Sequence, residues 1–272
     1  MNNTKYKLGI IGSGNMAEAL LRGVLKAEIL KPEEVIASDP CTTRQAVFTQ
    51  LGVATTSKNI EAGDCEIVLL AVKPHLIPEA LKSIILKINQ KTLIISIAAG
   101  VKIATISKML PPETKIIRVM PNTPMLVNSG ASALAIGEFV NDSDIDTALI
   151  LFKAGGKAWV VTEEQLDAIT AVSGSGPAYV FTFTEALTSA ACSAGLPPEL
   201  ATELAASTVI GAAKLLEQSD ESASVLRQKV TSPHGTTEAG LNSLSKSGFT
   251  KVITQAVLDA KQRSIELSKP KE

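Results

Sequence analysis

Seven short, almost continuously apolar segments between Lys7 and Val161 constrain the fold of this chain more than any other feature. They are residues 8–11, 34–37, 67–72, 93–97, 116–119, 131–136 and 158–161. Stretches with helical character separate them. Apolar segments of this kind are typical of parallel strands whose sheet is covered by helices on both faces. This part of the chain is therefore predicted to be an α/β domain with a doubly wound parallel sheet.

The strand pattern stops near Thr162, and the rest of the chain is predicted to be all-α. Residues 168–213 contain twelve alanines among scattered Leu, Ile and Val. The segment 195–198, Gly-Leu-Pro-Pro, indicates the end of one helix and the start of the next. We expect two domains, residues 1–161 and 162–272. Helices that are apolar on nearly all faces need burial on more than one side, so the second domain is expected to form a homodimer.

Composition narrows the possible partners and compartments. The chain of 272 residues has 26 Lys and Arg against 27 Asp and Glu, a net charge of -1. This balance argues against nucleic acid or an anionic membrane as the main partner. No apolar run approaches the roughly 18 residues of a membrane span, and no signal peptide is visible. A globular, cytoplasmic protein is expected.

Cysteine and histidine usage argues against a metal site. The three cysteines are far apart in the sequence, and the chain has only two histidines. Neither a zinc site nor a disulfide framework fits this spacing, so no metal is expected. The cysteines are interpreted as small buried side chains in a reducing compartment.

A glycine motif follows the first predicted strand. Gly12, Gly14 and Ala17 give the pattern G-x-G-x-x-A at the start of a helix that is predicted to end near Lys26. Gly12 permits a tight turn, Gly14 lets a pyrophosphate approach the backbone, and Ala17 lets the helix pack closely on the sheet. The helix N-terminus then offers amides to the phosphates. In this position the motif predicts a Rossmann-type dinucleotide site.

The second predicted strand leaves the choice of dinucleotide open. It is followed by Asp39, an acidic residue 25 positions after Gly14, where a carboxylate favours NAD by binding the ribose 2′-hydroxyl. Arg44, a few residues later, is suited to a 2′-phosphate. The simpler interpretation is that Asp39 caps a helix and Arg44 is a solvated surface residue.

Five further segments combine with the glycine motif into a recognisable order and spacing. They are AVKPH at 71–75, SIAAG at 96–100, RVMPNTP at 118–124, SGSGPAY at 173–179 and VTSPHGTT at 230–237. Together they closely resemble the pyrroline-5-carboxylate reductase family over residues 9–267. The resemblance implies reduction of the cyclic imine 1-pyrroline-5-carboxylate to L-proline, the last step of proline biosynthesis, with NADPH or NADH as cofactor. It also implies a helical dimerisation domain and a homodimer or larger assembly of dimers.

The resemblance extends the set of expected site residues. Those expected to contact the dinucleotide are Gly9, Gly12, Ser13, Gly14, Asn15, Met16, Ser38, Asp39, Arg44, Asn59, Ala71, Val72, Lys73, Pro74, Ile97, Ala98, Ala99 and Asn122. Those expected to contact the substrate are Ser173, Ser175, Gly235, Thr236 and Thr237.

Thr237 is the candidate for a catalytic role. Thr236 and Thr237 begin a predicted helix whose first amides suit the substrate carboxylate, and the Thr237 hydroxyl suits the ring nitrogen. The alternative is simple N-capping of that helix. His234, where the family usually has a small residue, is expected to face solvent.

Two rival functions differ in what they require. A β-hydroxyacid dehydrogenase or related imine reductase normally needs a lysine acid/base on its helical domain, and Lys214 and Lys229 are candidates without the surrounding motif. A non-catalytic dinucleotide-binding regulatory module needs no anion pocket, and the intact Gly235–Thr237 segment argues against it. Reduction of an imine needs no strong general base, which agrees with a chain so poor in histidine.

Overall fold

The computed structural model describes residues 6–268, and its centre is one sheet of eight strands. The strands are β1 (Leu8–Ile11), β2 (Val35–Ser38), β3 (Ala54–Thr56), β4 (Ile67–Leu70), β5 (Leu93–Ser96), β6 (Lys115–Met120), β7 (Gly130–Ile136) and β8 (Gly156–Val161). Their order is β3-β2-β1-β4-β5-β6-β7-β8. The first six follow the strand order of dinucleotide-binding doubly wound folds, which confirms the predicted fold class.

Twelve α-helices accompany the strands in the described chain. They are α1 (Asn15–Lys26), α2 (Thr42–Gln50), α3 (Asn59–Ala62), α4 (Ile77–Ile84), α5 (Ile103–Ser107), α6 (Asp142–Lys153), α7 (Leu166–Ile169), α8 (Gly176–Ser193), α9 (Pro198–Gln218), α10 (Ala223–Lys229), α11 (Thr236–Lys246) and α12 (Phe249–Leu267). A π-helical turn, Thr170–Gly174, follows α7.

Side chains alternate across the sheet and build a core on each face. On β1, Leu8 and Ile10 join one buried cluster, and Ile11 joins another. Helices α1 and α6 cover the first face, and α4 covers the second. A sheet covered on both faces needs apolar residues at successive strand positions, which explains the continuous runs in the sequence.

The seven predicted strands are all present, and two features differ from the expectation. Strand β3 was not predicted, because its three residues are only half-buried and carry no apolar run. Strand β7 pairs antiparallel with β6, within an otherwise parallel sheet. The connection, residues 121–129, is shorter than the dozen or more residues that a parallel crossover requires.

The chain packs as two compact units. One comprises residues 6–175 together with residues 260–268, and the other comprises Gly176–Asp259. In this division by packing the first unit extends beyond residue 161, where the strand pattern ends.

The second unit is helical and buries few of its own side chains. Helices α8, α10 and α11 have no buried residue, and α9 buries only Ala201 and Ala205. Large apolar side chains of this unit are exposed instead: Val180, Phe181, Phe183, Leu196, Leu200, Leu204, Ile210, Leu215, Leu216, Val225, Val230, Leu244, Phe249, Val252, Ile253 and Leu258. Within residues 6–268, none of the helices combines the length and apolar character needed to cross a membrane.

Two glycines near β1 should respond differently to the same substitution. A Cβ on Gly9 would lie 1.7 Å from the Ala62 carbonyl oxygen, whereas one on Gly14 would have no atom within 4 Å. Gly9→Ala should lower the free energy of unfolding by about 3 kcal/mol or more, since a backbone group must move. Gly14→Ala, at a helix N-cap, should cost about 1 kcal/mol or less. Urea denaturation at equal protein concentration measures both, and equal costs would contradict the packing described for β1.

Candidate functional site

The glycine loop between β1 and α1 places open space in front of a helix N-terminus. Gly12 has φ +94, and a Cβ there would lie 2.9 Å from the Ala71 carbonyl, so only glycine fits without displacing the backbone. Gly14 is the N-cap of α1 and has no side chain that could accept a hydrogen bond from the first-turn amides. Those amides and the positive end of the helix suit an anionic group. The loop therefore fits the pyrophosphate predicted from its sequence.

Ser13 connects this loop to the end of β2. Its side chain is wholly buried, and its hydroxyl has no hydrogen-bond partner among the described residues. Its amide donates to the Asp39 carboxylate at 2.7 Å. After Gly14, Asn15 and Met16 begin α1, with Asn15 exposed and Met16 packed against the core. The Ser13 hydroxyl is therefore a buried polar group of the glycine loop whose hydrogen bond is not satisfied by the described residues.

The Asp39 carboxylate and the Arg44 guanidinium both hold the glycine loop. Asp39 also accepts a hydrogen bond from the Cys41 amide at 2.9 Å. Arg44 donates to the Ser13 carbonyl oxygen and, at 2.9 Å, to Glu18. Burial would raise the pKa of Glu18, but hydrogen bonds from Arg22 and Arg44 outweigh it and lower the pKa. Arg44 is therefore a paired residue and not a freely solvated one.

Ser38 and Asn59 form a second connection at the same end of β2. The Ser38 hydroxyl donates to the Asn59 side-chain oxygen at 2.7 Å, and Asn59 donates to the Ser83 hydroxyl at 3.0 Å. Asn59 begins α3, so the hydrogen bond ties this helix to the sheet. Ser38 and Asn59, both expected to contact the dinucleotide, thus lie together at the carboxyl end of β2.

The ends of β4 and β5 complete this edge of the sheet. Residues 71–74 follow β4, and residues 97–99 follow β5, which is parallel to it. The Ala71 amide donates to the Ile11 carbonyl at 2.8 Å, which keeps this segment beside the glycine loop. Lys73, Pro74 and Ala99 are exposed, whereas Ala98 is buried. The chain reverses its strand order at β1, and open α/β sheets bind ligands at such a point.

Asn122 lies at the end of β6 and is buried, with both ends of its amide engaged. Its oxygen accepts from the Ala131 amide at 2.8 Å, and its nitrogen donates to the Ser173 carbonyl at 3.0 Å. Ser173 lies in the π-helical turn, and its own hydroxyl donates to the Ile169 carbonyl at 3.1 Å. Ser175 ends the first unit, where its amide donates to the Thr170 carbonyl at 2.8 Å.

The remaining predicted substrate residues belong to the second unit. Gly235 is the N-cap of α11 and, like Gly14, has no side chain that could accept a hydrogen bond from the first-turn amides. Thr236 is exposed and Thr237 half-buried. The Glu238 carboxylate accepts from the His234 amide at 2.7 Å, and the His234 side chain is 98% exposed, as expected. The helix N-terminus therefore has the geometry predicted for an anion site.

Three side chains that the sequence analysis did not assign to the site belong to it. Glu18 pairs with Arg44, Ser83 accepts from Asn59, and Cys41, at the N-cap position of α2, contacts the Thr43 hydroxyl through its sulfur. An acidic residue in a first helical turn is common, so Glu18 carried no distinguishing signal. The expectation that all the cysteines are buried is wrong for Cys41, which is exposed on the loop after β2, whereas Cys65 is buried.

The fold and the site together define a class of protein: a Rossmann-type dinucleotide-binding domain joined to a helical domain rich in exposed apolar side chains. Family models agree with this description. Residues 163–267 match the model "Pyrroline-5-carboxylate reductase dimerisation", and residues 7–100 match "NADP oxidoreductase coenzyme F420-dependent".

Similar proteins extend the likeness to nearly the whole chain. Pyrroline-5-carboxylate reductase of Synechocystis is 42% identical, covering 97% of this chain and 98% of that protein. Pyrroline-5-carboxylate reductase 3 of mouse is 38% identical, with 97% and 96% covered. The solved structure of the Coxiella burnetii reductase has a TM-score of 0.92 at 36% identity, covering 98% of this chain and all of that one. The Plasmodium falciparum reductase with NADP bound has a TM-score of 0.86 at 33% identity, covering 99% and 100%. The chain belongs to the pyrroline-5-carboxylate reductase family.

The hydrogen bonds in the loop after β2 can be tested through the reactivity of the Cys41 thiol. Hydrogen bonds from the Thr43 hydroxyl, and then from the Arg44 and Thr43 amides, lower the pKa of the exposed Cys41 thiol. Burial raises the pKa of Cys65 to about 12. Cys41 should therefore react with iodoacetamide at pH 7.5 faster than an ordinary thiol, whose pKa is about 8.5, and Cys65 should stay unmodified.

Thr43→Val removes the hydroxyl at similar volume and should slow the alkylation of Cys41. Peptide mass spectrometry measures each site separately. Labelling of Cys65 in the native protein at the rate of Cys41 would contradict the burial and the hydrogen bonds described.

Proposed function

We propose that this chain reduces 1-pyrroline-5-carboxylate to L-proline with NADPH, and that it also accepts NADH. The observation that carries the proposal is the full-length likeness to relatives that bear the name of this activity. The Plasmodium relative holds NADP, and the glycine loop of this chain has the open helix N-terminus that a dinucleotide needs.

The dinucleotide supplies the hydride, and the protein's own work is to bind and orient. Gly12, Gly14 and the first turn of α1 are assigned to the pyrophosphate, since they combine close backbone packing with unbonded amides. Residues 71–74 and 97–99 are assigned to the nicotinamide end, because they follow the neighbouring central strands β4 and β5. Small side chains there leave the backbone accessible to a flat ring.

The substrate carboxylate is assigned to the N-terminus of α11. Thr236 and Thr237 present first-turn amides, and Glu238 is held back by its bond to the His234 amide. The Thr237 hydroxyl is assigned to the ring nitrogen, which it orients as hydrogen-bond donor or acceptor. Ser173 and Ser175 are proposed as further substrate-binding residues, as the family resemblance implies.

The acid/base demand of this reaction is small. An imine with a protonated nitrogen is already activated, so solvent can supply the proton. Of the two lysines considered for a β-hydroxyacid dehydrogenase, Lys229 binds the Glu221 carboxylate at 2.7 Å, and Lys214 is an exposed residue of α9. Positioning is the main contribution of the protein.

The choice between NADPH and NADH depends on two residues at the end of β2. A 2′-phosphate would meet the negative Asp39 and the positive Arg44, both of which already hold the glycine loop. Because Glu18 neutralises part of the Arg44 charge, we expect only a moderate preference for NADPH.

The helical domain, residues 162–272, is proposed to form a homodimer or a larger assembly of dimers. The exposed apolar side chains of α8–α12 and the match to a dimerisation family over residues 163–267 support this. Residues 1–161 are proposed as the dinucleotide-binding domain. A cytoplasmic location is proposed because none of the three cysteines is in a disulfide.

Turnover of the wild type and of a Thr237 variant tests the proposed reaction. The wild type should oxidise NADPH, and NADH more slowly, when 1-pyrroline-5-carboxylate is added. Thr237→Ala should lower kcat/KM for the imine about 10-fold or more, since one hydrogen bond to a charged group is worth roughly 1.5–3 kcal/mol. Its dinucleotide Kd should stay unchanged.

Thr147→Ala, at a half-buried position of α6 outside the proposed site, is the control and should behave as the wild type. Tight dinucleotide binding without turnover in the wild type would overturn the proposal in favour of a regulatory module. The NADPH to NADH ratio of kcat/KM measures the balance between Arg44 and Asp39.

Subunit association is tested at the helical surface. Phe181 of α8 is 65% exposed in the single chain. Phe181→Glu should convert a dimer or larger assembly into species of the 28.5 kDa chain, since burial of an unpaired charge is costly. Val127→Glu, exposed and outside the helical unit, is the control. Sedimentation equilibrium makes the measurement, and a wild type that sediments as a single chain would refute the dimer.

A further inference from the structure

We infer that Asn122 is a positioning residue for the Ser173–Ser175 segment and not a contact of the dinucleotide. This inference rests on the proposed function, because it assigns those serines to the substrate. It replaces the cofactor contact that the family resemblance suggested for Asn122.

The argument begins with a carbonyl that its own helix leaves without a donor. In a regular α-helix the carbonyl of residue 173 accepts a hydrogen bond from the amide of residue 177. Residue 177 is proline, which has no amide hydrogen. The Asn122 side chain supplies the missing donor at 3.0 Å from the Ser173 carbonyl oxygen.

The other end of the Asn122 amide fixes the direction of that donor. Its oxygen accepts from the Ala131 amide at 2.8 Å, at the start of β7. Asn122 itself is buried and lies two residues after the end of β6. With both the oxygen and the nitrogen engaged in the protein, the amide holds the turn to two adjacent strands.

Packing brings the same turn against the end of β6. A Cβ on Gly174 would lie 2.6 Å from the Met120 methyl group, so a side chain there would displace Met120. Ala171 of the turn is fully buried. Strand β6 is parallel to β5, so this contact lies at the sheet edge that also carries residues 97–99. A π-helical turn at such an edge is typical of functional sites.

The consequence is a defined placement for Ser173 and Ser175. Pro177 and the π-helical turn interrupt the regular helical hydrogen bonds of this segment. The hydrogen bond from Asn122 and the packing of Met120 then hold the segment against the sheet. Loss of the Asn122 donor should therefore disturb the substrate and leave the dinucleotide in place.

Asn122→Asp is the decisive substitution, because it keeps the shape and the bond from Ala131 but turns the donor into a carboxylate that faces the Ser173 carbonyl. The KM for 1-pyrroline-5-carboxylate should rise about 10-fold, and the NADPH Kd from calorimetry should change less than about 2-fold. Asn141→Asp is the matched control, because aspartate also serves as the N-cap of α6, and it should change neither value.

A second variant separates positioning from loss of structure. Pro177→Ala restores an amide that can donate to the Ser173 carbonyl. In the Asn122→Asp background it should bring the raised KM at least part of the way back to the wild-type value. A generally unfolded variant would show no such recovery. A rise in NADPH Kd equal to the rise in KM, or no change in either, would overturn the inference.

The hydrogen bond from Asn122 to the Ser173 carbonyl is a tie between the sheet and the π-helical turn. Hydrogen exchange tests this tie without any assay of turnover. Peptides that cover residues 170–178 should exchange faster in Asn122→Asp than in the wild type, whereas peptides of α1 should not change. This result in a protein without reductase activity would support the tie but refute the proposed function. Unchanged exchange at residues 170–178 would refute the tie.

Discussion

Close backbone contact around β1 is the constraint on which the other features of the site depend. Gly9 allows the Ala62 carbonyl of α3 to lie where a side chain would otherwise be, and Gly12 allows the same for the end of β4. The Gly9 contact lets α3 pack closely on one face of β1, which pairs in parallel with β2 on one side and with β4 on the other. The carboxyl ends of the three strands therefore converge, and the N-terminus of α1 is directed at the place where they meet.

Charge at this point is arranged in pairs, which keeps the loop ordered without filling it. Asp39 is held by two backbone amides, and Arg44 by a backbone carbonyl and Glu18. Such half-exposed pairs contribute little to stability on their own, because solvent screens them. Their effect is on geometry: Asp39 and Arg44 each make one hydrogen bond to the Ser13 backbone and thereby hold the glycine loop in place. Preorganisation of this kind reduces the entropy lost on binding.

Much of this arrangement could be predicted from sequence, and the exceptions share a physical cause. The seven apolar strands were predictable because burial on both faces leaves a continuous signal, and the glycine loop because its spacing is fixed by backbone geometry. Strand β3 was missed because it is short and half-buried. The partners of Asp39, Arg44 and Asn122 were not predictable, since each lies at least 25 residues away in the sequence or depends on a backbone group that carries no residue signature. The exposure of Cys41 was missed for a similar reason, because it follows from the position of the turn and not from the residue type.

The SGSGPAY segment shows how one sequence can meet two requirements at once. Gly174 packs against the Met120 methyl group, and proline at 177 removes a donor from the helix that begins beside it. A helix interrupted in this way would leave a carbonyl unsatisfied, at a cost of about 1–3 kcal/mol if buried, unless another group bonded it. Asn122 is that group. The RVMPNTP and SGSGPAY segments are therefore complementary. Asn122 in the first segment supplies the hydrogen-bond donor that Pro177 in the second segment lacks.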